Sequence, residues 1–537
     1  MLLIMSKAKI KPLSFSTTMR NPDRIAGFLN QIVEFENEIL TTEVIYKIIH
    51  NVIKNKLYYT MYEYRHPEYK NIYLSDELKF TDEQVKDIIS NTKQDHKEAG
   101  FEHGWESRFD TWYKLSEEFG FVLYEKNKPI RISKLGHLLI DAYKSEEPNE
   151  KLIQTVFLNC LSKYQTNNPF KKNLNSNVPL LLLLKTIKLL KEDPEENDAG
   201  IFRSELSLFI CWNNSDEKAL YNKIKHIRKE VGFQYSDEYM YDICLELLGC
   251  QTEEEKEKNK KYFKMEKICN EAVDEYIRKM RSTGLLSLRG NGRFLDFNSF
   301  ENKKIEYILE KYSDFELFEN KEDYFNYVGE IDQDLFDIEI EVDYSKQYNT
   351  KIETLNSFAE KYTKEEIFNE LLLLTKKSES KNAEFKYIPE PTRLEFLTSI
   401  SLVQNLKNCF VTPNYSIDDE GLPTMTARGD MPDIICVETY HDGEFMSKIT
   451  SNVEVTLMRG RSDQVNNEIV PIRRHLLAQI SSGDDAFAVF IAPFVHEDTK
   501  EMAAWYKHKD KIDINTMTIE EFTQSIQSNN LIDLRNV

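Results

Sequence analysis

Two carboxylates in the C-terminal third sit where a charge is hard to keep without a cation. Asp433 follows Pro432 and opens the apolar run Ile434-Ile435-Cys436-Val437. Glu454 lies between Val453 and Val455 in a second such run that continues through Thr456 to Leu457. A carboxylate at the mouth of a buried strand, or inside one, is costly unless a cation or a hydrogen-bond donor meets it. On neighbouring strands the two acids could bind Mg2+ together, leaving positions for a phosphate oxygen and a water. Glu395, flanked by Leu394, Phe396 and Leu397, is a third inward-facing candidate. Glu468 is a fourth, four residues after Gln464 and seven before His475, so a helix would place all three on one face. Singly, each has an ordinary reading. Pro-Asp pairs begin strands, strand glutamates commonly face solvent, and a histidine after Arg473 and Arg474 is commonly a surface residue. Strand, spacing and flanking basic residues together favour one catalytic cluster of Glu395, Asp433, Glu454, Glu468 and His475, with Asp433 and Glu454 as the metal ligands.

The elements around these residues follow an α/β order. Arg393–Leu402 reads as a helix, and apolar strands follow at Asp433–Val437, Phe445–Ile449 and Val453–Leu457. A helix from Pro471, a buried strand at Ala486–Ala492, a helix near Glu501 and a helix at Thr518–Ile526 complete it. That is the order of an α/β sandwich. Upstream, helical periodicity dominates residues 21 to 310. Trp105–Phe119 predicts a helix stopped by Gly120, then a hairpin across 121–133 and a helix from Lys134. A second helix, Glu271–Thr283, stops at Gly284 before a hairpin around Arg289-Gly-Asn-Gly-Arg293, where Asn-Gly is a strong turn signal. Helix, short hairpin and helix is the winged-helix pattern, which suits DNA because a helix fits the major groove and a basic wing can hold phosphate. Plain helical packing and protein interaction are its alternatives. The fold class expected is therefore α+β and multidomain. Residues 1–300 would be a DNA-recognition region with two winged-helix-like units, 301–360 an acidic helical linker domain, and 361–537 the nuclease domain.

Bulk properties limit the choices. At 537 residues the chain needs more than one core. A 41% hydrophobic and 30% charged composition is that of a folded soluble protein rather than a disordered one. No apolar run approaches the roughly 20 residues of a membrane span, and Met1–Met5 lacks a secretory signal, so no membrane partner and a cytoplasmic location are expected. The seven cysteines are odd in number and lack Cys-x-x-Cys spacing, which argues for reduced thiols over zinc or disulfides. The net charge of -21 runs against nucleic-acid binding, although binding depends on where basic residues cluster rather than on their sum.

One family combines these features. Glu454-Val-Thr-Leu-Met-Arg-Gly460, Gln464, Glu468 and Arg473-Arg474-His475 resemble the AlwI family of type IIS restriction endonucleases and their nicking relatives. Ala427-Arg-Gly-Asp-Met-Pro-Asp433 resembles the family's segment around its first metal ligand, and Ser16-Thr-Thr-Met-Arg-Asn-Pro-Asp-Arg-Ile25 its opening motif. The resemblance implies winged-helix recognition, a linker and a C-terminal PD-(D/E)xK-type nuclease domain using Mg2+. It also implies binding to a short asymmetric double-stranded DNA site and hydrolysis a few bases outside it. By matching position, Glu395, Asp433, Glu454 and Glu468 become the active-site acids and His475 an associated polar group. Arg20, Asn21 and Arg24 are DNA-contact candidates from the opening motif, although Asn21-Pro22 is also a good helix start. Arg108, Arg131, Arg289 and Arg293 are further DNA-contact candidates from the two helix-hairpin units. The sequence departs from the broad nuclease pattern at Thr456, where many such enzymes have lysine. Gln464, His475 or a nearby arginine is left to supply the lost charge. One active site cuts one strand, so cutting both would call for a homodimer or a second subunit. A one-strand nicking enzyme and a non-catalytic DNA-binding regulator are the alternatives.

Overall fold

The structure is a computed structural model that describes residues 10–15, 19, 22–75, 78–145, 149–196, 200–312, 315–340, 343–442, 445–481, 485–528 and 530–535. The chain divides into two compact units, Met1–Tyr62 with Phe80–Glu341, and Glu63–Lys79 with Val342–Val537. Helices and sheets are both present, so the α+β class stands. Among the described residues no helix is long and apolar enough to cross a membrane.

The first unit is mainly helical. The helix Trp105–Glu118 ends as expected before Gly120, whose φ of 70° is one that glycine adopts without strain. The strands Val122–Leu123 and Arg131–Ile132 then pair antiparallel, and the helix Lys134–Lys144 follows with Ser133 as its cap. In the second expected unit the helix Ala272–Arg281 precedes the strands Leu286–Arg289 and Phe294–Phe297. Gly290, Asn291 and Gly292 between them all have positive φ, which explains why this turn is Gly-Asn-Gly. Ile201–Phe202 pairs with Phe294–Phe297 from far along the chain and makes this sheet three-stranded.

A buried ion cluster holds part of this unit together. Arg228 donates to both carboxylate oxygens of the fully buried Glu205 at 2.8 and 2.7 Å, to Glu196 at 2.7 Å and to the Gly200 carbonyl at 2.7 Å. Removing one member of such a pair leaves an uncompensated buried charge. Arg228→Met is therefore expected to destabilise this unit by about 3–5 kcal/mol. Chemical denaturation followed by a probe in the first unit would measure it.

The second unit is built on a five-stranded mixed sheet of order Ile514–Thr518, Asp485–Ala492, Phe445–Val455, Ile434–Asp442 and Cys409–Pro413. The inner pairing of Phe445–Val455 with Asp485–Ala492 is parallel, whereas its pairing with Ile434–Asp442 is antiparallel. The helix Glu390–Asn405 is buried on nearly every side. Ile472, Leu476, Ala486, Ala488, Phe490 and Tyr506 belong to one apolar core joining the helices Val470–Ser481 and Glu497–Asp510 to the sheet. The sequence pattern divided Phe445–Ile449 from Val453–Leu457, but they form one continuous strand. Thr450, Ser451 and Asn452 between them are buried, and this strand has a hydrogen-bonded neighbour on each side. Pairing on both edges outweighs the weak strand propensity of Asn452.

Candidate active site

The strand register carries the two central acids to one end of the sheet. Val453 pairs with Ile434, so Glu454 and Asp433 end up one residue beyond that pair on adjacent strands. The Asp433 backbone N–H donates to Glu454 Oε2 at 3.3 Å, and the Val455 N–H donates to Asp433 Oδ2 at 2.7 Å. Each acid is thereby held through the backbone of the other's strand. Glu454 pairs in register with Phe490, so it lies on the face that the helix Val470–Ser481 covers. From that helix His475 Nδ1 meets Glu454 Oε1 at 3.1 Å, and both side chains are over nine-tenths buried. The hydrogen bond to Glu454 raises the imidazole above its ordinary value, and the Gly429 carbonyl adds to the effect against desolvation and Arg474.

Glu395 enters from the helix Glu390–Asn405. It is buried, and its two oxygens accept the Ala427 N–H at 3.3 and 3.0 Å. That bond fixes the start of the segment leading into Asp433, and Arg474 donates to the Gly429 carbonyl further along it, at 3.4 Å. Burial drives the Asp433 carboxyl well above the usual carboxylate range, reinforced by the charges of Glu395, Glu454 and, less strongly, Glu468, and opposed by the Val455 N–H. Acids from separate stretches of the chain thus act on one point. Glu468 lies in a wide, π-type stretch, Gln464–Ile469, and is partly buried.

Among the described residues, no three His, Cys, Asp or Glu side chains form a ready metal-binding group. Asp433 and Glu454 nevertheless fit a magnesium ion. Their donors are carboxylate oxygens, magnesium needs only one or two of them, and a partly buried acid raised by the charge of its buried neighbour is what a cation would relieve.

Of the residues that could replace the missing lysine, His475 stands against Glu454, whereas Gln464 and the nearby arginines are bonded elsewhere or exposed. Thr456 accepts the Met458 N–H on its hydroxyl at 3.1 Å and shapes the turn. Gln464 is fully buried and braces loops. It donates to the Met458 and Phe494 carbonyls at 2.8 and 2.6 Å and accepts from the His496 N–H and the Thr499 hydroxyl, each at 3.0 Å. Arg473 pairs with Asp510 at 2.6 Å, Arg461 pairs with Asp498, and Arg459 donates to the carbonyls of Leu74 and Thr375. Arg474 is exposed.

The DNA-contact candidates belong to the first unit. Arg20 and Asn21 lie outside the described residues. Arg24 is exposed and donates to the Leu57 carbonyl at 2.9 Å, and Arg293 is exposed and donates to the Gly290 carbonyl at 2.9 Å. Arg131 pairs with Glu322 at 2.7 Å. Arg108 donates to Gln94 at 2.9 Å beneath the Tyr58 ring, and burial lowers its guanidinium from the ordinary value. Arg289 clamps its own hairpin through Asp296 at 3.0 Å and the Phe297 carbonyl at 2.8 Å.

The model of the AlwI restriction endonuclease family matches residues 117–358 and 330–524. The chain belongs to the AlwI restriction endonuclease family. AlwI-family membership makes it a restriction enzyme that cleaves DNA site-specifically, and the acids described above lie within the matched residues. No curated protein sequence matches the chain. Among solved structures, it is similar to the small subunit of the heterodimeric restriction endonuclease R.BspD6I at 20% identity, over 30% of this chain and 77% of that one, with a TM-score of 0.24. It is also similar to the restriction endonuclease FokI at 11% identity over 98% of each chain, and to FokI bound to DNA at 10% over 99% and 98%, both with a TM-score of 0.24.

Proposed function

We propose that the chain is a magnesium-dependent type IIS endonuclease that binds a short asymmetric duplex site and hydrolyses phosphodiester bonds a few bases outside it. The observation that carries this reading is the cross-strand lock between Asp433 and Glu454, with the charges of Glu395 and Glu468 falling on the same carboxyl. Asp433 and Glu454 would hold the metal. A bound divalent ion would supply Lewis-acid stabilisation of the phosphate and a more acidic water. His475 orients the Glu454 carboxylate through the Nδ1 contact. Glu395 holds the Ala427 end of the Asp433 segment in place and adds negative charge to the cluster. Such a PD-(D/E)xK-type arrangement catalyses by fixed positions and charges rather than by a covalent step.

The division of labour proposed assigns recognition to residues 1–300 through winged-helix-like units, a linking role to 301–360 and hydrolysis to 361–537. Arg20, Asn21, Arg24 and Arg293 are the leading DNA contacts. Arg108, Arg131 and Arg289 would first have to leave the internal bonds that hold them. With one such acid cluster among the described residues of a chain, cutting both strands would take a second copy or a second subunit.

The test is incubation of mixed plasmid DNA with the protein and Mg2+, followed by sequencing of the ends. Linear product with ends at a fixed offset from a common asymmetric site is expected. Open circles would instead identify a one-strand nicking enzyme. Intact plasmid across a range of protein and salt concentrations would overturn the nuclease reading in favour of a DNA-binding regulator.

A further inference from the structure

The helix Tyr344–Lys361 belongs to the second unit, and it brings a lysine to the strand Cys409–Pro413, the neighbour of the Asp433 strand, from outside the motif that usually supplies one. Lys351 donates from Nζ to the Pro413 carbonyl at 3.1 Å. Pro413 pairs with Ile434, the residue after Asp433, and the next residue, Asn414, donates its N–H to the Asp433 carbonyl at 2.8 Å and its side-chain amide to the Pro432 carbonyl at 2.6 Å. The ammonium is therefore anchored at the outer edge of the strand that borders Asp433, because the Pro413 carbonyl points opposite to the Asn414 N–H of the same trans peptide. It also lies 5.3 Å from the centre of the Tyr415 ring. The Glu395 charge acts on both Lys351 and the buried Tyr415 hydroxyl. Among the described residues Lys351 makes no ion pair, and its one hydrogen bond leaves two N–H groups able to donate.

A partly buried ammonium without a carboxylate against it is costly, and such groups concentrate where a ligand completes them. We propose that Lys351 supplies the positive charge absent at Thr456, donating to a phosphate oxygen of the cleaved strand beside Asp433 and Glu454. This rests on the nuclease reading above. Burial brings the ammonium down to about 8 against the pull of Glu395, so it stays mostly protonated at neutral pH. Its stem keeps the charge in place and the water-poor surroundings strengthen it towards a phosphate.

The experiment uses the full chain with Mg2+ and a duplex carrying the mapped site, comparing wild type with Lys351→Met, Lys351→Arg, Arg474→Met and Glu454→Gln. Single-turnover cleavage by Lys351→Met is expected to fall by about 10²–10³-fold. Lys351→Arg, which keeps the charge, is expected to recover all but about tenfold of that loss. Site affinity, measured in the Glu454→Gln background to prevent cutting, should change by less than about threefold, because one phosphate contact among many is lost. The melting temperature should hold or rise, since methionine replaces a desolvated charge. Cleavage by Lys351→Met within about threefold of wild type would overturn the proposal. So would a comparable loss in Arg474→Met alone, or a loss in Lys351→Met accompanied by a lowered melting temperature. A wild type that leaves DNA intact removes the nuclease reading itself, whereas a cutting wild type, an inactive Glu454→Gln and a normal Lys351→Met remove only the role of Lys351.

Discussion

Replacing Glu454 with glutamine is expected to lower DNA cleavage by about 10³-fold or more while specific binding and folding persist. The side chain meets two groups in the structure, the Asp433 N–H at 3.3 Å and His475 Nδ1 at 3.1 Å. Glutamine can satisfy both, with its carbonyl turned to the Asp433 N–H and its amide donating to a neutral imidazole. Shape and local bonding survive, and the charge that would bind the metal is lost. A second readout follows from the hydrogen bond that raises His475. In Glu454→Gln its titration should move down towards the ordinary imidazole value, followed by NMR across pH 5–9. Cleavage at the wild-type rate would remove Glu454 from the site, and an unmoved His475 would contradict the geometry that couples them.

The placement of Asp433 and Glu454 on neighbouring strands was legible in the sequence because their flanks are local. Pro432-Asp433 before four apolar residues marks a charge at the mouth of a strand, and Glu454 between two valines marks one inside a strand. The helix-hairpin units were legible for a similar reason, since Gly120, Gly284 and the Gly-Asn-Gly turn need positive φ and announce it in their composition. Long-range pairing left no such mark. Cys409–Pro413 and Ile514–Thr518 went unrecognised as the outer strands of the sheet. An edge strand has a partner on one side only, tolerates a proline such as Pro413, and carries a weak pattern. Gln464 looks like part of the catalytic face because its spacing to Glu468 and His475 is helical, yet wide π-type turns intervene and its amide braces two loops. Lys351 had no signal at all. It sits in an ordinary polar helix, and only the tertiary fold places its ammonium against the Pro413 carbonyl.

Replacing Asp433 with asparagine is expected to abolish cleavage to the same extent as Glu454→Gln, but to make the metal-free protein more stable. Burial and the Glu395, Glu454 and Glu468 charges all favour the neutral Asp433 carboxyl, so its folded-state value lies above the unfolded one. Between those two values the folded state holds the extra proton, and stability falls as pH rises. The loss is complete once pH exceeds the raised folded value, so the carboxylate destabilises the metal-free fold there. The asparagine side chain would be neutral at every pH, and its oxygen can still accept the Val455 N–H now bonded at 2.7 Å to Asp433 Oδ2. Relieving a charge kept for function commonly contributes about 0.5–2 kcal/mol. In EDTA the variant should therefore unfold at higher denaturant above neutral pH, with the difference shrinking as pH falls into the acid range. Added Mg2+ should stabilise the wild type and leave Asp433→Asn nearly unmoved, because only the wild type retains both carboxylates to bind it. Equal stabilisation of the two proteins by Mg2+ would place the ion elsewhere, and a variant less stable than wild type in EDTA at every pH would show that Asp433 is a structural acid rather than one held in readiness for a cation.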